Sequence, residues 1–302
     1  MNVLSLFDGM SCGQIALNKA GIKYDNYFAS EIKKDAIKVT QYNYPGTIQL
    51  GDVTKINAKN LPKIDLLIGG SPCQDLSRAN KNRLGLDGLK SGLFFEYYRL
   101  FTELKPIFFL LENVIMNDSD YMIISEMMGT EPIRINSSLV SGQLRDRMYW
   151  TNIGDTYYDL FGNRKCNIPQ PKDRNIMLSN IIDSGYTDRQ KSRALLEGDS
   201  RPLRTPIKMF HRYYSTGFTT LVFKNESVYY EMVNMYNKGK YDDKIFSKNN
   251  VRYLSQTELE KLQTIPVGYT KILSRDRAAS LLGDGWTVDV IAHIFSFIKQ
   301  KQ

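Results

Sequence analysis

Short apolar runs alternate with helix-period segments through the first 155 residues of the chain. Val3–Phe7 and Tyr24–Ser30 have the length and residue types of buried strands. Ile64–Ile68 and Ile107–Leu111 are apolar enough to be strands covered on both faces, and Met148–Asn152 is a further strand. Between them, Gly13–Ala20 reads as a helix closed by Gly21, and Lys33–Tyr42 as a helix with Pro45 just beyond it. Leu93–Leu104 places Leu93, Tyr97, Leu100, Phe101 and Leu104 on one helical face, and Pro106 stops it. Such alternation predicts an α/β fold, a largely parallel sheet with helices on both faces. From Asp155 to Asn250 the alternation fails, and Gly, Pro, Asn and Asp punctuate short polar stretches such as Gly162–Asp173. This segment is expected to be a separate, loop-rich domain. Regular pattern returns with helices near Ser255–Leu262, Ser274–Leu282 and Val288–Ile298, the first opened by a Ser255/Glu258 capping box.

Composition sharpens this picture. With 302 residues, 42% of them hydrophobic and 12% aromatic, the chain can bury a sizeable core and is not a disordered sequence. No apolar run approaches the ~18 residues that span a bilayer, and the start, MNVLSLFDG, lacks the basic region of a signal peptide. Three cysteines, Cys12, Cys73 and Cys166, cannot build a disulfide framework, so a reduced, cytoplasmic setting is expected. With only His211 and His293 beside them, a zinc site is not expected. The net charge is +8, and it is unevenly spread. Thr156–Arg252 holds 17 basic and 10 acidic side chains, against 23 and 22 in the rest of the chain. Concentrated excess of this kind points to a polyanionic partner, although basic surface is often simply solvated. The same region interleaves Phe210, Tyr213, Tyr214, Phe218, Phe223, Tyr229 and Tyr230, a mixture suited to phosphate contact with base stacking.

Four constellations carry candidate chemistry. Phe7-Asp8-Gly9-Met10-Ser11-Cys12-Gly13 is a glycine-bearing turn after the first strand, opening a helix, where open α/β sheets bind ligands. Glu31 ends the second strand, where an acid can accept two ribose hydroxyls, and Asp52 ends the third. A tight turn with scattered surface acids is the bland alternative; three successive strand ends favour a nucleoside-type cofactor. Gly69-Gly70-Ser71-Pro72-Cys73-Gln74 puts a cysteine in the loop after Ile64–Ile68, at the position of a nucleophile. An inert buried thiol accounts for that position equally well. Glu112-Asn113-Val114 ends the strand Ile107–Leu111; a desolvated Glu112 would favour its neutral form and could donate a proton, or it could simply reach water. In Gln143-Leu144-Arg145-Asp146-Arg147, a strand that begins early would point Arg145 and Arg147 to one face, while a surface ion-pair cluster around Asp146 is the alternative.

Taken in order and spacing, Phe-x-Gly, Glu31, Asp52, Pro-Cys-Gln, Glu-Asn-Val and Gln-x-Arg-x-Arg resemble the DNA cytosine carbon-5 methyltransferases. Arg252-Tyr-Leu-Ser255, Glu258, Leu262-Gln263 and Pro266-x-Gly268-Tyr269 continue the likeness, which covers residues 1–155 and 252–302. Ser71-Pro-Cys-Gln-Asp-Leu-Ser77, Leu93-Phe-Phe-Glu-Tyr-Tyr98 and Gly285-Trp286 look most like the subgroup containing the eukaryotic de novo enzymes, here without their regulatory domains. An Asn-, Lys-, Ile- and Tyr-rich composition fits an AT-rich bacterial or phage genome.

The resemblance implies a Rossmann-like S-adenosylmethionine-dependent catalytic domain from 1–155 and 253–302, and a target-recognition domain over 156–252. It implies a cofactor site of Phe7, Asp8, Gly9, Met10, Cys12, Glu31, Ile32, Asp52, Val53, Pro72, Leu93, Asp284 and Trp286. Phe7 would stack on adenine, Glu31 hold the ribose and Asp52 the adenine amino group, with S-adenosylhomocysteine as product and no metal. Cys73 would attack carbon 6 of a cytosine flipped out of double-stranded DNA, Glu112 would protonate ring nitrogen 3, and Arg145 and Arg147 would hold the base carbonyl and stabilise the thiolate. Asp284 departs from the Gly-Asn usual in the family's final motif. An RNA cytosine methyltransferase is the competing enzyme, and its usual Cys-Phe-Thr tripeptide is absent. A silent DNA-binding relative would have lost Pro-Cys or Glu-Asn-Val, and a dinucleotide oxidoreductase would leave Pro-Cys-Gln unexplained.

Overall fold

The computed structural model describes residues 1–72, 92–196, 201–217 and 219–299. The strands are β1 (Asn2–Leu6), β2 (Asn26–Ser30), β3 (Ile48–Gln49), β4 (Leu66–Gly70), β5 (Phe108–Val114), β6 (Ile133–Asn136), β7 (Gln143–Leu144), β8 (Asp146–Thr151), β9 (Thr156–Tyr158), β10 (Arg164–Cys166), β11 (Ser192–Arg193), β12 (Leu221–Phe223) and β13 (Val251–Tyr253). The helices are α1 (Cys12–Lys19), α2 (Lys34–Asn43), α3 (Leu93–Leu104), α4 (Asp118–Met128), α5 (Pro206–Thr216), α6 (Glu226–Asn237), α7 (Gln256–Leu262), α8 (Arg275–Asp284) and α9 (Val288–Phe295). They group into two compact units. The first comprises 1–136, 146–171 and 288–302; the second comprises 137–145 and 172–287. Residues 253–287 thus fall with the second unit and 156–171 with the first, unlike the boundaries expected from the charge pattern. Among the described residues no helix is long and apolar enough to cross a membrane.

In the first unit a seven-stranded sheet runs in the order β3-β2-β1-β4-β5-β8-β6. Strands β3, β2, β1, β4 and β5 pair in parallel, while β8 is antiparallel to both β5 and β6. The central strands are buried on both faces because their residues are almost wholly apolar: Leu4, Leu6, Leu67, Phe109 and Leu111 share a core with Phe94, Tyr97 and Leu100 of α3, Ile124 and Met128 of α4, and Trp150 of β8. The register sets Leu6 beside Ser30 and Gly69, and Gly70 beside Glu112, so the parallel strands end together along one edge. Gly13 explains how closely α1 lies on the sheet: a Cβ there would stand 2.5 Å from Ile68 Cδ1 and 2.6 Å from the Tyr27 hydroxyl.

The second unit has its own core. Met209, Phe210 and Tyr213 of α5 pack with Leu221 and Phe223 of β12, Met232 of α6, Phe246 and Val251. The region read as loop-rich therefore contains α5 and α6. Phe210, Tyr213 and Phe223, expected to stack on bases, are buried core residues; Tyr214 and Tyr230 are exposed, and Phe218 lies outside the described residues. The physical reason is helical spacing: Met209, Phe210 and Tyr213 lie on one side of α5, which a core must cover. Ser255 caps α7 as expected, with Glu258 closing the capping box; Glu258 is buried and takes Arg252 on both carboxylate oxygens, 2.8 Å each.

Candidate active site

The first site element is the turn after β1. Phe7, Gly9 and Ser11 all have left-handed backbone, with φ of 56°, 60° and 61°. A side chain at Gly9 would meet nothing within 4 Å, so that position faces open space and needs glycine for its backbone angle rather than for room. Glu31, after β2, organises the turn. Its Oε2 accepts from Gly9 N at 2.8 Å, and its Oε1 accepts from Ile32 N at 2.7 Å and Lys33 N at 2.8 Å. A carboxylate held this way has a fixed orientation while keeping acceptor capacity for a further donor.

Asp8 points away from that open face. Its carboxylate accepts from Ser11 Oγ and, at 2.7 Å, from the Tyr27 hydroxyl. Burial pushes Asp8 from its ordinary 3.8 up to about 6, with the nearby Glu31 adding to the rise and the hydroxyls of Ser11, Ser5 and Tyr27 opposing it. The network continues through Gln14 Nε2 to Ser11 Oγ (3.1 Å) and Thr47 Oγ1 (2.8 Å). Met10 and Cys12 are buried in the same turn. Asp8 therefore braces the loop from beneath, a role the sequence did not distinguish from ligand contact.

Beside Glu31, Ile32 is an apolar side chain 71% exposed, and Phe7 is half-buried. Leu50 N donates to Ala29 O at 2.8 Å and Ser30 Oγ to Gly51 O at 2.7 Å, which brings the chain after β3 alongside the end of β2. Asp52 stands there as the cap of a short 3-10 turn containing the buried Val53 rather than as a strand end. Hydrogen bonds from Thr54 N (3.0 Å) and Thr54 Oγ1 (2.9 Å) hold Asp52 below the usual carboxylate range. Two ionisable acids flanking an exposed apolar residue and an open glycine turn fit a nucleoside: apolar surface for a base and acceptors for hydroxyl and amino donors.

The second element lies at the ends of β4 and β5. Glu112 is buried, and Arg147 Nε stands 2.9 Å from its Oε1. The lone carboxyl anticipated at the end of an apolar strand is therefore an ion pair, because the β5–β8 register puts Val114 beside Arg147. Next to it, Asn113 Nδ2 donates to Ser71 Oγ at 3.0 Å, and Asn113 Oδ1 accepts from Val114 N at 2.8 Å. Asn113 and Ser71 are both buried, so this bond ties the start of the Ser71-Pro72 loop to the Glu112 strand. Nothing in the sequence pattern had given Asn113 a task. Cys73 lies outside the described residues; Leu93, also assigned to the cofactor, starts α3 and packs against the core.

Arg145 and Arg147 do not share a strand face, since β7 and β8 are separate and Arg145 falls between them, in the second unit. Arg145 is buried; its guanidinium donates to Leu195 O (3.1 Å), Gly283 O (3.3 Å) and Gly285 O (2.8 Å). Asp146 pairs with Arg134 instead, Nε to Oδ2 at 2.9 Å. Gln143 and Gln263 complete the buried cluster. Gln143 Nε2 donates to Leu262 O (2.7 Å) and Gln263 Oε1 (2.9 Å); Gln263 Nε2 donates to Leu282 O (2.5 Å) and its Oε1 accepts from Thr287 Oγ1 (3.0 Å). Gln143, Arg145 and Gln263 thus clamp the backbone that carries Asp284 and Trp286, residues whose side chains are exposed and half-buried.

A turn opened by glycine, acids beyond β2 and β3 and a carboxylate–arginine pair sit on an α/β fold that solved methyltransferases share. Structural comparison agrees: the S. pombe Dnmt2 methyltransferase superposes with a TM-score of 0.68 at 14% identity, covering 98% of this chain and 97% of that one. The Entamoeba histolytica methyltransferase EhMeth gives a TM-score of 0.68 at 15% identity, covering 99% of each chain. Residues 1–120 match the C-5 cytosine-specific DNA methylase model. A type II methyltransferase of Lactococcus lactis subsp. cremoris is 28% identical over 309 residues, 96% of this chain and 75% of the relative. An orphan methyltransferase of Bacillus phage SPR is 34% identical over 181 residues, 56% of this chain and 40% of the relative. Over residues 1–120 the chain is thus similar to the C-5 cytosine-specific DNA methylases.

Proposed function

We propose that this chain methylates carbon 5 of cytosine in duplex DNA, using S-adenosylmethionine and a covalent bond from Cys73. One observation carries the reading: the ends of β3, β2, β1, β4 and β5 are neighbours in that order, aligning Asp52, Glu31, the Phe7–Gly9 turn, the Ser71-Pro72 loop and Glu112. The first three offer a nucleoside site; the last two lead into the reacting base.

In this reading Glu31 accepts the ribose hydroxyls, Phe7 and Ile32 cover the adenine, and Asp52 receives its amino group. The cofactor, when bound, supplies an electrophilic methyl group on sulfur. Leu93, Val53 and Pro72 complete its contacts, with Met10 and Cys12 shaping the turn. The target base leaves the helix stack, because carbons 5 and 6 are inaccessible within it. The Cys73 thiolate adds to carbon 6, and the electron pair of the 5,6 double bond moves into the ring. Glu112 supplies hydrogen bonding or a proton at nitrogen 3, so that negative charge does not accumulate there. Arg147, held by Glu112, faces the base carbonyl. Carbon 5 would then take the methyl group as the methyl–sulfur bond breaks, its electron pair staying on sulfur in S-adenosylhomocysteine. Removal of the carbon-5 proton restores the double bond and expels the thiolate. Arg145 takes a positioning role in this scheme, consistent with its three carbonyl partners.

Bisulfite sequencing of DNA from cells expressing the chain tests the reading. Protected cytosines at one recurring sequence are expected; none in DNA, with modified cytosines in RNA, would replace it with the RNA enzyme.

A further inference from the structure

The β9–β10 hairpin of the first unit presents large apolar residues to water. Gly162 N donates to Asp159 O and Asp159 N to Asn163 O, both at 3.0 Å, and Gly162 has a φ of 82°. This is a three-residue connection in which Leu160 and Phe161 take the two central turn positions. Such positions ordinarily carry Pro, Asp, Asn, Ser or Gly. Here Leu160 is fully exposed, Phe161 89%, Tyr158 72% and Tyr157 49%. The tip is nonetheless held in place. Asp159 Oδ1 accepts from Phe161 N and Asn163 N, both at 2.9 Å, and Lys165 Nζ stands 2.9 Å from Oδ2. None of these residues belongs to the candidate site. Strand β8 runs antiparallel to β5, with Arg147 beside Val114 and Thr151 beside Leu110, so the chain leaves β8 at the end of the sheet far from Glu112 and the Ser71-Pro72 loop.

Strand β9 also has an open edge. Bonds from Asp159 N to Asn163 O and from Asn167 N to Asp155 O (2.8 Å) set the alternation of the hairpin, which turns the N–H and C=O groups of Thr156 and Tyr158 away from β10. Among the described residues no other backbone group pairs with them. The outer edge of β10 is covered instead: Arg164 O accepts from Glu131 N (2.8 Å) and Thr130 Oγ1 (3.1 Å). An open strand edge is a template for a further strand. A polyanion is a poor occupant, because Lys165 is paired with Asp159 and Lys299 with Asp155 at 2.7 Å. The same local neutrality lets a chain of net charge +8 approach its own copy. A two-fold contact takes the strand edge and the apolar cover from the same patch on each copy. At roughly 200 Å² for a large side chain, the exposed parts of these four residues come to about 600 Å². Two copies would then remove about 1,200 Å² from water, the lower end of what stable interfaces bury. We infer that two copies of the chain join through this hairpin, their β9 edges pairing antiparallel about a two-fold axis at Tyr157, with Leu160 and Phe161 of each copy covering the other's hairpin. The inference needs neither cofactor nor DNA and stands apart from the proposed function.

The test is sedimentation velocity of the full chain over a wide concentration range, without DNA. A concentration-dependent dimer is expected. Leu160→Asp/Phe161→Asp should stay monomeric throughout, and should unfold at the wild-type temperature because both positions face solvent in the monomer. Tyr158→Pro should also stay monomeric: the N–H it removes points away from β10, so the hairpin keeps its own bonds and only the added strand is blocked. Met122→Asp, at an exposed apolar position of α4, is the control and should dimerise like wild type. Pairing about Tyr157 sets its Cα about 4.5 Å from its symmetry mate, within disulfide reach. Tyr157→Cys in a Cys73→Ser background should therefore give a covalent dimer on air oxidation, reversed by dithiothreitol, and Thr156→Cys in that background, which faces Tyr158 of the other copy, should not. A wild-type chain that is monomeric at every concentration overturns the inference and leaves the patch to a different protein. A dimer undiminished in Leu160→Asp/Phe161→Asp and in Tyr158→Pro overturns it too, since another face then joins the copies. A dimer lost in those variants but without the Tyr157→Cys crosslink overturns the strand pairing.

Discussion

Replacing Asp8 by asparagine should change how stability depends on pH. Burial raises Asp8 from 3.8 to about 6 in the folded chain, so between those values the folded state holds a proton that the unfolded state has lost. For a raised acid, stability must fall as pH climbs through that window and level off above it. A shift of about two units corresponds to about 3 kcal/mol, since one unit is 1.36 kcal/mol. Asn at this position still accepts from the Tyr27 hydroxyl and can donate to Ser11 Oγ, so the brace beneath the Phe7–Gly9 turn is kept without the buried charge. The chain has two tryptophans, and Trp150 is buried in the core of the same unit, so both proteins can be compared in a Trp286→Phe background. Urea unfolding followed by Trp150 emission, from about pH 4 to about pH 7.5, gives the two stability curves. Their difference, variant minus wild type, should rise by about 3 kcal/mol across the window and stay flat above it. Other titrating groups cancel in that difference. A difference independent of pH would refute the reasoning, and Asp8 would then be an ordinary ionised acid in both states.

Glu31→Ala should weaken S-adenosylmethionine binding roughly tenfold to a hundredfold, through lost charge-assisted hydrogen bonds worth ~1.5–3 kcal/mol; equal affinities by calorimetry would remove Glu31 from the site. Glu112→Gln should lower kcat while DNA affinity holds, because the amide can neither supply the proton nor pair with Arg147; unchanged single-turnover rates would exclude Glu112 from the chemistry. Gln263→Leu removes the acceptor shared by Gln143 Nε2 and the Thr287 hydroxyl and the donor to the Leu282 carbonyl, and should destabilise the second unit by about 2–5 kcal/mol, read from thermal unfolding.

The sheet was legible from sequence where strands are buried on both faces. Val3–Phe7, Ile64–Ile68 and Ile107–Leu111 lie within one to three residues of the ends of β1, β4 and β5, because a fully covered strand must be apolar throughout. α4 escaped notice although Asn117 caps it, for its exposed Met122 and Ile123 blur the polar face that marks a helix. In the second unit, frequent Gly, Pro and Asn masked α5 and α6, and aromatic residues shared by core and surface could not be sorted without the fold. The strand-end acids were visible as residues; their partners were not. Whether Asp8 faces a ligand or Tyr27, and whether Arg145 faces a base or the Gly283–Gly285 backbone, depends on contacts between residues far apart in the chain.

The central claim is that Cys73 bonds to carbon 6 of the target cytosine before the methyl group moves. A fluorine at carbon 5 cannot leave as a cation, so the thiolate cannot be expelled after methyl transfer. Incubating the chain with S-adenosylmethionine and duplex DNA carrying 5-fluorocytosine at the mapped site should give an adduct that survives denaturing electrophoresis. Omitting S-adenosylmethionine should abolish it, and Cys73→Ser should form none, because a hydroxyl is a far weaker nucleophile at neutral pH. Methylation of ordinary DNA with no trapped adduct, or trapping undiminished in Cys73→Ser, would contradict the account.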